Sequence, residues 1–235
     1  MPTDTPRGFV EYFQDFIAWD IIADQPEVAV DTDPAIEVVA TAPNGVIRAT
    51  MDAGQTNIGG VLFGQLQWDI TNGVYVEARV RLSAIGTGDE RVGVWLTDLQ
   101  EDTLSEYPFT IATTTATAAA DPNDAVGIFW EGNPTNKSWY PLSQNADALV
   151  VDGVTNVNAW DRKPPVADTW NTLAFDIAPG GKVADFYVDG KLIYHYEGTT
   201  SVVADVPLIL VWGVTEGATA INADLDYVYV RSQRQ

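Results

Sequence analysis

Carboxylate catalysis needs two acids at a working separation, and the acidic run Asp98, Glu101, Asp102 and Glu106 is the first place to seek them. Working as nucleophile and general acid, such a pair would act on glycosidic bonds. Here the spacing is unsuitable, because residues 98–102 fall at a strand end rather than along a strand. His195 is the one histidine. It sits in an alternating strand pattern with no Gly-x-Ser-x-Gly context for a nucleophile. No cysteine is present, which excludes disulfides, thiolate catalysis and zinc–thiolate sites. Together these absences predict a protein that is not an enzyme.

Calcium asks for clustered hard oxygens. The candidate ligands are Asp31 and Asp33 in one loop and Asp121, Asn123 and Asp124 in another. The same residue types fix turns through side-chain to backbone hydrogen bonds, and without EF-hand spacing that turn role is preferred. No other cofactor is implied.

Eight tryptophans raise the question of sugar stacking. Trp95, Trp170 and Trp212 fall in strand patterns and read as packing residues. Trp130, Trp139, Tyr140 and Trp160 lie at or within the longest irregular stretch, residues 131–165, where binding residues concentrate. They are expected either to line a glycan groove or to anchor a contact with a neighbouring subunit.

These side chains must be held by strands. Residues 170–197, WNTLAFDIAPGGKVADFYVDGKLIYHYE, predict three strands folded back at Pro179-Gly180-Gly181 and Asp189-Gly190. Residues 74–82 alternate most cleanly. Val74, Val76, Ala78, Val80 and Leu82 lie on one face, with Tyr75, Glu77, Arg79 and Arg81 on a wet one. A hairpin is expected across Pro43-Asn44-Gly45, and further strands at 61–68, 91–99, 126–130, 207–214 and 223–230. Residues 8–22 suit either a short helix or an edge strand, and residues 108–120 either a strand or a flexible arm. With about a dozen strands and no long helix, the chain predicts an all-β, antiparallel sandwich. Residues 1–235 form one expected domain, with an N-terminal segment to about residue 35 and an irregular insertion at about 131–165.

The formal net charge of −21, from 33 acidic and 12 basic residues, predicts repulsion from nucleic acid and anionic membranes. No apolar run approaches the roughly 18 residues of a membrane span. The start, MPTDTPRGFVEYF, has no basic segment followed by an apolar one, which predicts synthesis in the cytoplasm without a secretory signal.

Several stretches resemble the concanavalin A-like, or laminin-G-like, jelly roll in their expected order. They are Gly45-Val46-Ile47-Arg48-Ala49-Thr50, the strand GVYVEARVRL at 73–82, the W-x-T-L…FYVDGKL hairpins from Trp170, and the closing Leu225-Asp226-Tyr227-Val228-Tyr229-Val230. The resemblance covers nearly the whole chain and implies that fold. It also brings an expectation of Glu-x-Asp-x-x-Glu for laminarinase-type glycosidases, which this chain lacks. Val92-Gly93-Val94-Trp95-Leu96-Thr97-Asp98, Tyr107-Pro108-Phe109-Thr110 and Asp124-Ala125-Val126-Gly127-Ile128 resemble proteins encoded among tailed-phage head genes. That likeness implies a virion structural protein that decorates the capsid exterior. Its partners would be the major capsid protein and copies of itself, and it would be made in the host cytoplasm. The alternative is a carbohydrate-binding, lectin-like module, with a polysaccharide hydrolase third.

Overall fold

The computed structural model describes residues 9–16, 34–39, 45–99, 107–112, 114–120, 122–133, 135, 137–156 and 162–233. Its strands are β1 (Phe9–Gln14), β2 (Ala35–Val38), β3 (Ile47–Met51), β4 (Ile58–Trp68), β5 (Val74–Leu82), β6 (Arg91–Thr97), β7 (Phe109–Ala112), β8 (Thr115–Ala118), β9 (Ala125–Glu131), β10 (Tyr140–Asn145), β11 (Ala148–Asp152), β12 (Trp170–Ile177), β13 (Val183–Val188), β14 (Lys191–Glu197), β15 (Leu208–Thr215) and β16 (Ile221–Gln233). Among the described residues, helix is limited to one short turn at Gly153–Asn156 and a 3-10 turn at Ile70–Asn72. Among the described residues no helix is long and apolar enough to cross a membrane.

The strands pair antiparallel into two stacked sheets. The larger runs β14-β13-β12-β5-β16-β3-β2, and β1 adds to β16 beyond the end of β3. The smaller runs β11-β10-β9-β6-β15-β4. Alternation dictates this stacking. Val74, Val76, Ala78, Val80 and Leu82 on β5, Leu173, Phe175 and Ile177 on β12, and Val228 and Val230 on β16 all turn inward. There they meet Val92, Val94, Ile128, Trp130 and Trp212 from the smaller sheet. A buried side chain of this size contributes about 1.5–3 kcal/mol, so this shared core is the main stabilising element.

The two sheets treat their outer faces differently. A second apolar cluster, built on Trp95, Phe129, Tyr140, Leu142 and Val211, lies on the outside of the smaller sheet. The β7–β8 hairpin covers it through Phe109 and Ile111, with Tyr107 alongside. The threonine- and alanine-rich segment is therefore a hairpin lid. Among the described residues, none gives the outer face of the larger sheet such a cover.

Turn chemistry follows the local signals. Asp189 and Gly190 both take positive φ (51° and 73°), as the two-residue hairpin between β13 and β14 requires. Residues 9–14 form an edge strand rather than a helix. The Asn44 turn lies outside the described residues, although β2 and β3 do pair. Within residues 131–165, where the sequence allows a strand at 148–157 and is otherwise expected to be irregular, β11 takes up that strand and β10 is a further one, paired with β11 and joined to β9.

Candidate functional site

That pairing removes most of the expected aromatic contact residues from the surface. Trp130 is 0 % exposed, and Trp139 and Tyr140 are each 1 % exposed. Trp130 and Trp139 point into the main core and Tyr140 into the second cluster. The Trp139 indole N–H donates to Asn171 Oδ1 at 3.1 Å. The expectation that these rings meet a ligand is corrected for all three, because β9 and β10 are interior strands with both faces covered. Trp160 lies outside the described residues.

The calcium candidates divide in the same way. Asp31, Asp33 and Asp121 lie outside the described residues. Asp124 is buried, and its Oδ1 accepts backbone N–H groups from Ala204 at 2.7 Å and Ala146 at 3.4 Å. The neighbouring Asn123 carbonyl accepts the Asp147 N–H at 3.0 Å, so this loop is closed by local bonds. Of the acidic run, Asp98 Oδ1 accepts the Asp124 N–H at 3.1 Å. Glu101, Asp102 and Glu106 lie outside the described residues.

The open face of the larger sheet presents its outward residues in rows. One row crosses six strands with every neighbour directly opposed: His195 on β14, Asp185 on β13, Asp176 on β12, Tyr75 on β5, Arg231 on β16 and Glu11 on β1. Along the middle of this row runs a cleft of about 300 Å³, lined by Phe9, Tyr75, Asp176, Asp185 and Arg231 together with the Pro179 turn. The Arg231 guanidinium stacks 4.9 Å from the Phe9 ring centroid and 5.6 Å from that of Tyr75. Flat cationic and aromatic groups are thereby locked together at low entropic cost.

Neighbouring rows brace this floor. Glu77 accepts hydrogen bonds from the phenols of Tyr75 (2.6 Å) and Tyr227 (2.7 Å), holding both rings against the sheet. Burial, then these bonds, pushes the Tyr227 phenol up to about 12 and raises that of Tyr75 as well. Further along, Arg79 bonds Asp226, while Arg48 and Arg81 share the buried Asp224. Trp170 lies beneath the guanidinium groups of Arg79 and Arg81, at 5.1 and 4.6 Å. A bulge at Asp226 lets the outward pattern of β16 change from Asp224 to Tyr227, Tyr229 and Arg231.

Electrostatically, the cleft centres on its two aspartates. The Asp176 side chain reaches solvent, yet the surrounding walls desolvate its carboxyl and raise it above its ordinary value. Arg231 opposes that rise and Asp185 adds to it by repulsion. Asp185 Oδ1 lies 2.6 Å from His195 Nδ1, and that hydrogen bond raises the imidazole above its ordinary value. His195, read as an ordinary sheet residue, is therefore tied to the site.

The alternation in β5 already marks Tyr75, Glu77, Arg79 and Arg81 as a wet face, but Asp176 and Asp185 went unnoticed as a pair. The signal lay in the hairpin. Asp176 lies four residues before Gly180 and Asp185 four after Gly181, so antiparallel pairing centred on that Gly-Gly turn sets them opposite.

No family model matches this chain, and no curated protein does. Solved structures do. An alginate lyase, Aly36B, in complex with alginate trisaccharide is 9% identical, with a TM-score of 0.60 over 95% of this chain and 98% of its own. A Bacillus licheniformis β-glucanase is 13% identical, with a TM-score of 0.54 over 96% and 98%. The carbohydrate recognition domain of Emp47p is 11% identical, with a TM-score of 0.54 over 87% and 93%. At such identities the likeness is one of fold. The expectation of a non-enzymatic protein is corrected by it, because two of these three structures are glycan-degrading enzymes. None of the three concerns a phage particle or a capsid. Two antiparallel sheets stacked on one core, in this company, identify the chain as a concanavalin A-like jelly-roll sandwich.

Proposed function

We propose that this protein recognises a glycan in the cleft on the open face of its larger sheet. One observation carries the reading. The row from His195 to Arg231 places carboxylates, a guanidinium and aromatic rings together on the floor of a cleft that none of the other described elements covers. Saccharides offer hydroxyl donors and acceptors around apolar ring faces. Carboxylates accept from vicinal hydroxyls, guanidinium donates to ring and hydroxyl oxygens, and Tyr75 and Phe9 offer apolar surface. The other face available to a ligand, that of the smaller sheet, is filled by the β7–β8 hairpin. The fold shared with carbohydrate-binding and glycan-degrading proteins supports the same reading.

Titration calorimetry against a panel of neutral, amino and acidic oligosaccharides tests it. Wild type binds at least one class, and Tyr75→Ala and Arg231→Ala each weaken that binding about tenfold or more, with thermal midpoints lowered only modestly. A wild-type protein that binds none of the panel removes the reading.

Glycan cleavage is the second reading, favoured by the direct opposition of Asp176 and Asp185. Opposed residues on antiparallel strands hold their Cβ atoms about 4.5–5.5 Å apart. Retaining glycosidases separate their carboxyl groups by about 5–5.5 Å. Release of new reducing ends by wild type, lost in Asp176→Asn, would establish cleavage.

A further inference from the structure

The β7–β8 hairpin belongs to neither sheet. Its two strands pair only with each other, and a lone two-stranded hairpin is marginal in water. It rests on the smaller sheet through Phe109 and Ile111, with Tyr107 beside them. Among the described residues, two hydrogen-bonded ties hold it there. The Ile111 N–H donates to Glu131 Oε2 at 2.6 Å, and Gln144 Nε2 donates to the carbonyls of Ala119 and Pro122 just beyond β8.

The contact beneath the hairpin is only partly a core. Trp95, Phe129 and Tyr140 pack there as apolar rings. Four polar atoms at the same contact are buried with no hydrogen-bond partner among the described residues: Glu131 Oε1, the Trp95 indole N–H, the Tyr107 hydroxyl and Gln144 Oε1. The Tyr107 hydroxyl lies over Gly93, where a Cβ would collide with it. A permanent core pairs nearly all such groups, and each one left unpaired weakens the contact. Lifting the hairpin would return all four to water.

Glu131 is the group most altered by this cover. Facing it are Arg91 from β6, whose Nε is 3.3 Å from Oε2, and the Tyr107 phenol from the segment entering β7. Asp89, from the loop before β6, adds a more distant negative charge. Tyr140 stands one row away on β10, and burial raises both phenols, so neither ionises near neutral pH. Burial outweighs Arg91 and the Ile111 bond and holds the Glu131 carboxyl up at about 7. With the hairpin lifted, the same carboxyl meets water and returns towards 4.5. The closed state therefore binds the proton more tightly than the lifted one. Its advantage is complete below 4.5 and shrinks as pH rises to about 7.

We propose that the β7–β8 hairpin is a lid latched by Glu131, which lifts from the smaller sheet as the solution turns from mildly acid to mildly alkaline and bares Trp95, Phe129 and Tyr140. The cleft on the larger sheet takes no part, so glycan recognition there is independent of the lid.

Amide hydrogen exchange of the full chain, resolved by residue with NMR, reads the lid at the Ile111 N–H. After correction for the intrinsic pH dependence of exchange, its opening constant should rise by up to about a hundredfold between pH 5 and pH 8. At each pH it should exceed those of Val94 and Ile128 in the sheet by at least about tenfold. It should also respond weakly to urea, because a local opening exposes little surface. In Glu131→Gln the rise with pH should shrink to about twofold or less. Tyr107→Phe removes an unpaired hydroxyl and keeps the latch, so opening should become rarer with the same pH dependence. Ile111 exchange that matches Val94 and Ile128 overturns the proposal, since the hairpin then opens only with the whole fold. A rise that persists in Glu131→Gln, or vanishes in Tyr107→Phe, also overturns it by placing the latch elsewhere. If Glu131→Gln does not fold, the Glu131 carboxyl carbon of the wild type serves in its place. Its titration should span the pH range of the Ile111 opening, and a carboxyl that stays ionised down to about 4.5 overturns the latch.

Discussion

Asp176 on β12 and Asp185 on β13 stand directly opposite one another on an open sheet face, two carboxylates facing across one hairpin. A fold selected for stability alone would place opposite charges, or a threonine pair, at such positions. The surrounding residues offset part of the repulsion within the pair: Arg231, stacked with Phe9 and Tyr75, favours the ionised form of Asp176, and His195 hydrogen-bonds Asp185. Desolvation, with a smaller contribution from Asp185, raises the Asp176 carboxyl inside a cleft that a ligand can reach, and perturbed carboxyls in clefts mark candidate functional sites.

The first prediction concerns His195. Because it is the one histidine, its ring protons can be followed by NMR without ambiguity. Its titration should lie above the ordinary value of 6.5, since the hydrogen bond to Asp185 favours the imidazolium, and should move back towards 6.5 in Asp185→Asn. For a raised histidine, the stabilising contribution is complete below 6.5 and fades as pH rises through the folded value. An unmoved titration in the variant would show that the pair is not formed in solution.

A second prediction concerns Glu131, buried where β9 passes under the β7–β8 hairpin. Its Oε2 accepts the Ile111 N–H at 2.6 Å and lies 3.3 Å from Arg91 Nε. Burial outweighs Arg91 and pushes this carboxyl up to about 7. A raised carboxyl binds its proton more readily in the folded state than in the unfolded one. Its stabilising contribution is therefore complete below its ordinary 4.5 and is lost as pH rises through about 7. Urea midpoints should fall between pH 5 and pH 8, and Glu131→Gln should flatten that slope. The change should amount to no more than about 3 kcal/mol. An equal slope in the variant would assign the pH dependence to other groups.

A third prediction separates packing from recognition. Trp139→Ala removes a fully buried ring and leaves Asn171 Oδ1 without its indole donor. The cost should be about 3–5 kcal/mol in denaturant unfolding. In the folded fraction, saccharide affinity should remain within about twofold of wild type, because Trp139 lies between the sheets and away from the open face. Tyr75→Ala should show the reverse pattern, with modest loss of stability and large loss of binding.

Much of the scaffold could be read before any coordinates. The period of two in residues 74–82 identified both the buried and the wet face of β5, and Asp189-Gly190 located a hairpin to the residue. These features depend on nearest neighbours along the chain, so local sequence contains them. The aromatic residues were misplaced for the opposite reason. Nothing near Trp139 and Tyr140 shows that β10 lies between β9 and β11, since that depends on pairing partners. Glycines illustrate the same point. A Cβ at Gly213 would collide with the Trp95 indole, and one at Gly127 with the Val94 carbonyl oxygen and the Trp95 Cβ, so Gly213 leaves room for the ring and Gly127 for the close approach of β6. Read alone, each is only a weak spot in a strand.

By itself, the sequence determined an all-β chain, its alternation, its hairpin turns and its acidic charge, because each is set by residue type and short-range spacing. Tertiary structure decided which sheet face stays open. That depended on the β7–β8 hairpin packing onto Trp95, Phe129 and Tyr140 on one side, with nothing equivalent among the described residues on the other. Tertiary structure also decided the site. His195, Asp185, Asp176, Tyr75 and Arg231 are scattered through more than half of the chain, and only the lateral register of five antiparallel strands sets them side by side.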